Sequence, residues 1–196
     1  MRRRCLKIMA LLAAGMIGTG SQASVVRAAD FAMIVKSGTV QLWDDEQRLD
    51  LEERHFDDNS RRTLAVAWEV RNAKEVALGM EYLTFKHDFS PPALGRTKTQ
   101  VWLFNAKKYF SPNRVLHPFI GLGLGWGYAK YDDNLGNVDR DANIALQATA
   151  GVEFRIGENV GFYTELKGLA SGTDGEEENE FDFSGTGFMA GISLIF

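Results

Sequence analysis

The chain has 196 residues and one cysteine. That thiol, Cys5, stands among Arg2, Arg3, Arg4 and Lys7, ahead of an apolar run over residues 8–17, and no acidic residue precedes Asp30. A basic start, a short apolar run and small residues beyond it have the form of a secretory signal. The run is about half of the roughly 20 residues a spanning helix needs, which weakens the alternative of a membrane anchor. Cleavage fits after Ala23 or after Ala28; the second leaves a short polar start. Cys5 precedes the apolar run, the wrong place for a lipid-acceptor cysteine. Residues 29–196 then hold no cysteine, which excludes a disulfide and a thiolate metal site.

Long hydrophobic stretches are also missing from the exported part, so no helix is expected to cross a membrane there. Basic excess is missing too. Removal of residues 1–28 takes away Arg2, Arg3, Arg4, Lys7 and Arg27 and no acid, moving the formal charge from −4 to −9. An acidic chain without a basic patch excludes nucleic acid as the expected partner. The length fits one domain, residues 29–196.

What the exported part does contain is alternation with period two. Leu64, Val66, Trp68 and Val70 oppose Ala65, Ala67, Glu69 and Arg71, an apolar face against a small or charged one. Val76, Leu78, Met80 and Tyr82 oppose Ala77, Gly79 and Glu81, with Leu83 and Phe85 interrupting the pattern. The sharpest case is Ile120, Leu122, Leu124, Trp126 and Tyr128 against Gly121, Gly123, Gly125, Gly127 and Ala129. A glycine stripe on an inner face makes room for large side chains from neighbouring strands. Residues 144–154 and 160–166 follow, with Gln147, Glu153, Arg155, Tyr163, Glu165 and Lys167 on the inward parity. The last strand runs through Phe188, Ala190, Ile192, Leu194 and Phe196. Two more strands, 31–43 and 99–109, leave their parity open; in the first, either Lys36 or Ser37 and Thr39 must face outward.

Eight strands are thus expected, joined alternately by short turns and by long polar segments at 44–62, 88–98, 132–141 and 171–182. An even count, short turns at one end and longer loops at the other describe an all-β, eight-stranded antiparallel transmembrane barrel. A soluble lipocalin-type barrel is the competing architecture and would turn its apolar parity inward. Aromatic residues near the ends of the apolar faces, Trp126, Tyr128, Tyr82 and Phe162, suit interfacial girdles and favour the membrane form.

The run His117-Pro118-Phe119-Ile120-Gly121-Leu122-Gly123-Leu124-Gly125, together with residues 187–196, resembles the small outer-membrane β-barrel family that includes the OmpA transmembrane domain and the OmpX/Ail-type barrels. The resemblance implies that Phe188, Ile192, Leu194 and Phe196 form a terminal signal read by the outer-membrane assembly machinery. It also implies the cell outer membrane as location, with its lipids and lipopolysaccharide as surroundings. The resemblance does not imply the peptidoglycan-anchoring function of longer relatives.

Glu69, Arg71, Glu81, Glu153, Arg155, Glu165 and Lys167 share the inward parity, and ions in a narrow interior must pair. The expected result is a salt-bridge network that plugs the lumen; the alternative is a polar pore lining for small solutes. A lipid A-modifying enzyme needs a nucleophile beside a base. His87-Asp88-Phe89-Ser90 lacks the His-x-Ser-Asn run of the deacylases, and Ser184 has Asp182 where a nucleophile elbow needs glycine. No catalytic residue, metal or cofactor is therefore expected: the acidic clusters at 44–46 and 176–180 lack the spacing of a calcium loop, and the glycine stripe is not a dinucleotide fingerprint. The expected role is a non-enzymatic envelope protein acting through integrity or through loop contacts with an unknown external partner.

Overall fold

A computed structural model describes residues 30–43, 46–49, 52–55, 60–72, 75–88, 96–110, 115–132, 138–172 and 183–196. The export signal expected at 1–28 lies outside the described residues, as do the acidic cluster at 176–180, Asp44, Asp45, Ser90, and the side chains of Glu46, His87 and Asp88. Among the described residues there are ten strands: β1 (Asp30–Leu42), β2 (Glu46–Leu49), β3 (Glu52–His55), β4 (Ser60–Arg71), β5 (Val76–Asp88), β6 (Arg96–Tyr109), β7 (Leu116–Asp132), β8 (Val138–Ile156), β9 (Val160–Gly172) and β10 (Gly185–Ile195). Eight close into an antiparallel barrel in the order β1-β10-β9-β8-β7-β6-β5-β4, and β2 and β3 pair as a separate hairpin.

The stagger of this barrel is readable from its register. A circuit of paired residues leaves β1 at Val40 and passes Gly187, Lys167, Thr149, Gly121, Lys107, Ala77 and Arg71. It returns to β1 at Asp30, ten residues from its start. Eight strands with that shear tilt by roughly 40° to the axis, given ordinary strand rise and spacing. Every member of the circuit has inward parity, so one hydrogen-bonded row rises as a spiral through the interior.

Strand ends reach further than alternation indicates. β8 has 19 residues and β7 has 17, and their pairing continues to Asp132 and Val138. The segment expected as a loop at 44–62 contains β2, β3 and the start of β4. Antiparallel pairing satisfies backbone groups whatever the side chains, so polar strand ends remain in the ladder where hydrophobic alternation has stopped. At the opposite end the connections are tight. Asn72 N–H donates to the Val76 carbonyl (2.9 Å) and Glu75 N–H to the Asn72 carbonyl (3.0 Å); the Asn72 side chain also accepts from Val76 N–H. Glu75 takes φ 63° to close this turn, and Gly157 takes φ 75° in the β8–β9 turn.

The parity is that of a membrane barrel. Leu122, Leu166 and Ile144 are more than 60% exposed on the outer face, which corrects the lipocalin alternative. In β1, Ile34, Lys36 and Val40 point inward while Val35, Ser37 and Thr39 point outward; in β6 the odd positions from Thr97 to Tyr109 point inward. The outward run Ile120 to Tyr128 spans nine positions of β7, within the roughly 9–11 residues a tilted strand needs to cross a bilayer core. Outward Phe31, Phe154, Phe162 and Phe196 lie near the turn end, and outward Tyr82, Trp102, Trp126 and Tyr128 near the loop end.

Candidate functional site

The lumen holds nine ionisable side chains in contact with one another. On the turn side, Arg71 forks onto Glu153 with contacts of 2.7 and 3.1 Å and donates to Glu69 at 3.2 and 3.3 Å. Arg155, on the rim of this cluster, donates to Glu153 at 3.1 Å. The Tyr109 hydroxyl donates to Glu69 at 2.8 Å, and Lys107 reaches both Glu69 and the Tyr163 hydroxyl. A bidentate guanidinium–carboxylate pair is among the strongest polar contacts and fixes orientation as well as charge.

One step towards the loops lies a second cluster. Lys36 contacts Glu165 at 2.7 Å and Glu81 at 3.1 Å, while Lys167 reaches Glu81 and, at 3.4 Å, Glu165. Asn105 donates to Glu81 at 3.1 Å and Thr149 to Glu165 at 3.2 Å. Gln147 closes the chain by donating to the Asn105 side-chain oxygen Oδ1 at 3.0 Å. Two lysines against two glutamates balance in charge, as buried ions must. Between the clusters Tyr109, Phe119 and Tyr163 pack ring on ring, with centroids 5.2 and 4.8 Å apart. Lys107 lies over both Phe119 and Tyr163.

Above the ions the interior changes character. Val40, Leu42, Leu83, Phe85, Val101, Leu103, Phe183 and Met189 form one buried apolar group. Leu83 and Phe85, which interrupt the outward pattern of β5, are inward residues of this plug. The β7 glycines give room to such groups: a Cβ on Gly127 would strike the Phe183 ring, and one on Gly121 would meet the Lys107 side chain.

The seven ionisable residues read from parity are thus brought into two adjoining clusters, with Glu69, Arg71, Glu153 and Arg155 in one and Glu81, Glu165 and Lys167 in the other. Sequence reasoning did not assign Lys36 and Lys107 to them. A signal existed: four carboxylates against three cations left an anionic excess, and the two strands of open parity carried lysines able to offset it, Lys36 on one and the adjacent Lys107 and Lys108 on the other. Phe188, Ile192, Leu194 and Phe196 stand on the outer face. Phe196 is tied to Phe31 by a backbone pair, its N–H donating at 2.8 Å. Ser184, weighed as a nucleophile, is buried, and its hydroxyl accepts the N–H of Ser171 at 2.9 Å. Among the described residues no group of three or more acidic, histidine or cysteine side chains is arranged to hold a metal.

No protein-family model matches the chain, and no curated protein matches it. Solved structures do. The fold is similar to that of Neisserial surface protein A, at 15% identity and a TM-score of 0.64, over 87% of this chain and 100% of that one. It is similar to the outer membrane protein OprG from Pseudomonas aeruginosa, at 15% identity and a TM-score of 0.65, over 87% and 97%. It is also similar to Ail, the attachment invasion locus protein of Yersinia pestis, solved in complex with the heparin analogue sucrose octasulfate, at 14% identity and a TM-score of 0.54, over 87% and 100%. The likeness is one of fold, and the fold is that of the small eight-stranded outer-membrane barrels.

Proposed function

We propose that the protein is a non-enzymatic, integral outer-membrane barrel with a closed lumen, serving envelope integrity or surface contacts through its loop end. One observation carries the closed lumen. Glu81 in the ionic layer and Leu83 and Leu103 in the apolar layer leave no surface for a water molecule to touch. A conducting pore needs a continuous water column or ion sites that replace hydration, and two successive filled layers argue against both. The outward apolar belt, with aromatic residues near both of its ends, supports insertion in a bilayer. The signal-like residues 1–28 and the outward Phe188, Ile192, Leu194 and Phe196 support export and recognition by the assembly machinery. A contact role draws support from the long connections gathered at one end and from the likeness to a protein named for attachment and invasion. The non-enzymatic reading draws support from the buried, hydrogen-bonded Ser184.

Planar-bilayer recording of the refolded, heat-modifiable barrel tests the closed lumen. Silence from the wild type and from Arg155→Ala is expected, because Arg155 sits at the rim and not across the apolar layer. Discrete openings in the wild type would replace this reading with that of a narrow channel for small solutes.

A further inference from the structure

The register sets like charges side by side on the outer face. Lys86 pairs with Lys98, Lys98 with Lys130, and Lys130 with Arg140. Arg62 on β4, one step beyond the pair Thr63 and Phe85, extends the row by register. Arg62, Lys86, Lys98 and Lys130 have outward parity; Arg62, Lys86 and Lys130 are exposed and Lys98 is half-buried. Among the described residues no carboxylate interrupts this row, although like charges directly opposite one another in a sheet are destabilising. Two residues nearer the loops the register pairs Asp88 with Arg96 and Arg96 with Asp132.

The depth of the row identifies its partner. Two residues towards the middle of the barrel is a row of Thr84, Gln100 and Tyr128, and two further is Tyr82, Trp102 and Trp126. The Tyr82 and Trp102 rings lie 4.8 Å apart. On tilted strands the cations therefore stand roughly 10 Å beyond the aromatic row, in the headgroup layer of a bilayer whose interface the aromatics mark. Below them on the same sector is an open apolar hollow of about 700 Å³, lined by Leu78, Phe104, Ala106, Leu122, Ala148 and Gly168 among others. The small residues of this hollow leave space for a chain lying along the strands.

We propose that this face of β4–β8 is a docking site for a membrane lipid whose headgroup carries two or more phosphates, the chemistry of outer-leaflet lipopolysaccharide. The phosphates bind across the cation row and an acyl chain fills the hollow. The proposal rests on the membrane reading above and deepens it, since it names which lipid and which sector. It also explains why the row survives: a polyphosphate between neighbouring lysines turns mutual repulsion into shared attraction.

The test is thermal loss of the heat-modifiable form in phosphatidylcholine vesicles, with and without a minor fraction of bisphosphorylated lipid A. The lipid is expected to raise the midpoint of the wild type. In Lys98→Gln/Lys130→Gln the midpoint in pure phosphatidylcholine should stay level or rise, since repulsion is removed. The same variant should bind the lipid roughly 30-fold more weakly, at about fivefold per basic residue near an anionic surface. Lys108→Gln, at the turn end where Lys108 pairs with Glu75 at 3.6 Å, should respond like the wild type. An undiminished lipid effect in the double variant would overturn the site. A rise produced equally by inorganic pyrophosphate would overturn the lipid as its ligand. Failure of the wild type to insert into phosphatidylcholine would instead overturn the membrane reading on which the site depends.

Discussion

The two halves of the lumen share a parity, a burial and a set of strands, yet they are filled by opposite chemistry. Towards the turns the inner face holds Lys36, Glu69, Arg71, Glu81, Lys107, Glu153, Glu165 and Lys167; towards the loops it holds Val40, Leu83, Phe85, Val101, Leu103 and Met189. The ionic half is held by directed contacts, several of which fix one strand to a distant one: Lys36 on β1 to Glu81 on β5, Arg71 on β4 to Glu153 on β8. The apolar half is held by packing that tolerates volume-conserving change. Register should therefore be specified mainly by the ionic half, while each half by itself closes the lumen to water.

The sharpest way to break this division is to remove one ion. Glu81 accepts from both Lys36 and Lys167, so Glu81→Ala leaves two buried ammonium groups short of a counter-ion. A loss of about 3–5 kcal/mol is expected, the range for stripping one partner from a buried pair. It is measured as a fall in the urea midpoint of the heat-modifiable form in vesicles. A loss below about 1 kcal/mol, well under that range, would mean that water reaches the layer and that the lumen is not dry.

In the apolar half the matching change is Leu103→Ala. It removes a fully buried side chain and leaves a cavity with no stranded charge. The expected cost is about 2–4 kcal/mol, towards the lower end of such truncations because loop-end neighbours are able to settle inward. The distinguishing readout is conductance: opening the apolar layer above an intact ionic one should still give silence, because Glu81 and its partners continue to fill the lumen below. Discrete openings in Leu103→Ala would assign the seal to the apolar layer alone.

The same contrast explains what could be read from the sequence. On β4, β8 and β9 the inward residues are charged, polar or small where the outward ones are apolar, so period two was legible and Glu69, Arg71, Glu153, Glu165 and Lys167 fell on one face. On β1 and β6 the inner face carries Ile34, Val40, Val101 and Leu103, as apolar as the outer face, so alternation vanished and with it the assignments of Lys36 and Lys107. The outward cations of β5–β7 were invisible for a related reason. Lys86, Lys98 and Lys130 are isolated in sequence and become one row only through register, which depends on turn lengths and shear and not on any local pattern. The terminal hairpin extensions escaped because backbone pairing persists where hydrophobic alternation does not.

Glycine sharpens the comparison of inner and outer faces at the smallest scale. Gly127 points inward, and a Cβ there would run into the Phe183 ring; Gly168 points outward, where the nearest atom to an added Cβ is the Ala148 carbonyl oxygen at 3.9 Å. Neither has the positive φ that would strain alanine, so space alone separates them. Gly127→Ala should cost about 1–3 kcal/mol through overpacking against the loop-end plug. Gly168→Ala should be neutral or stabilising by about 0.4–1 kcal/mol, because alanine restricts the unfolded chain without meeting anything in the folded one. Paired urea midpoints of the two variants in vesicles measure the difference directly. Equal midpoints would imply that Phe183 gives way freely, and the loop-end layer would then be a loose cover and not a packed plug.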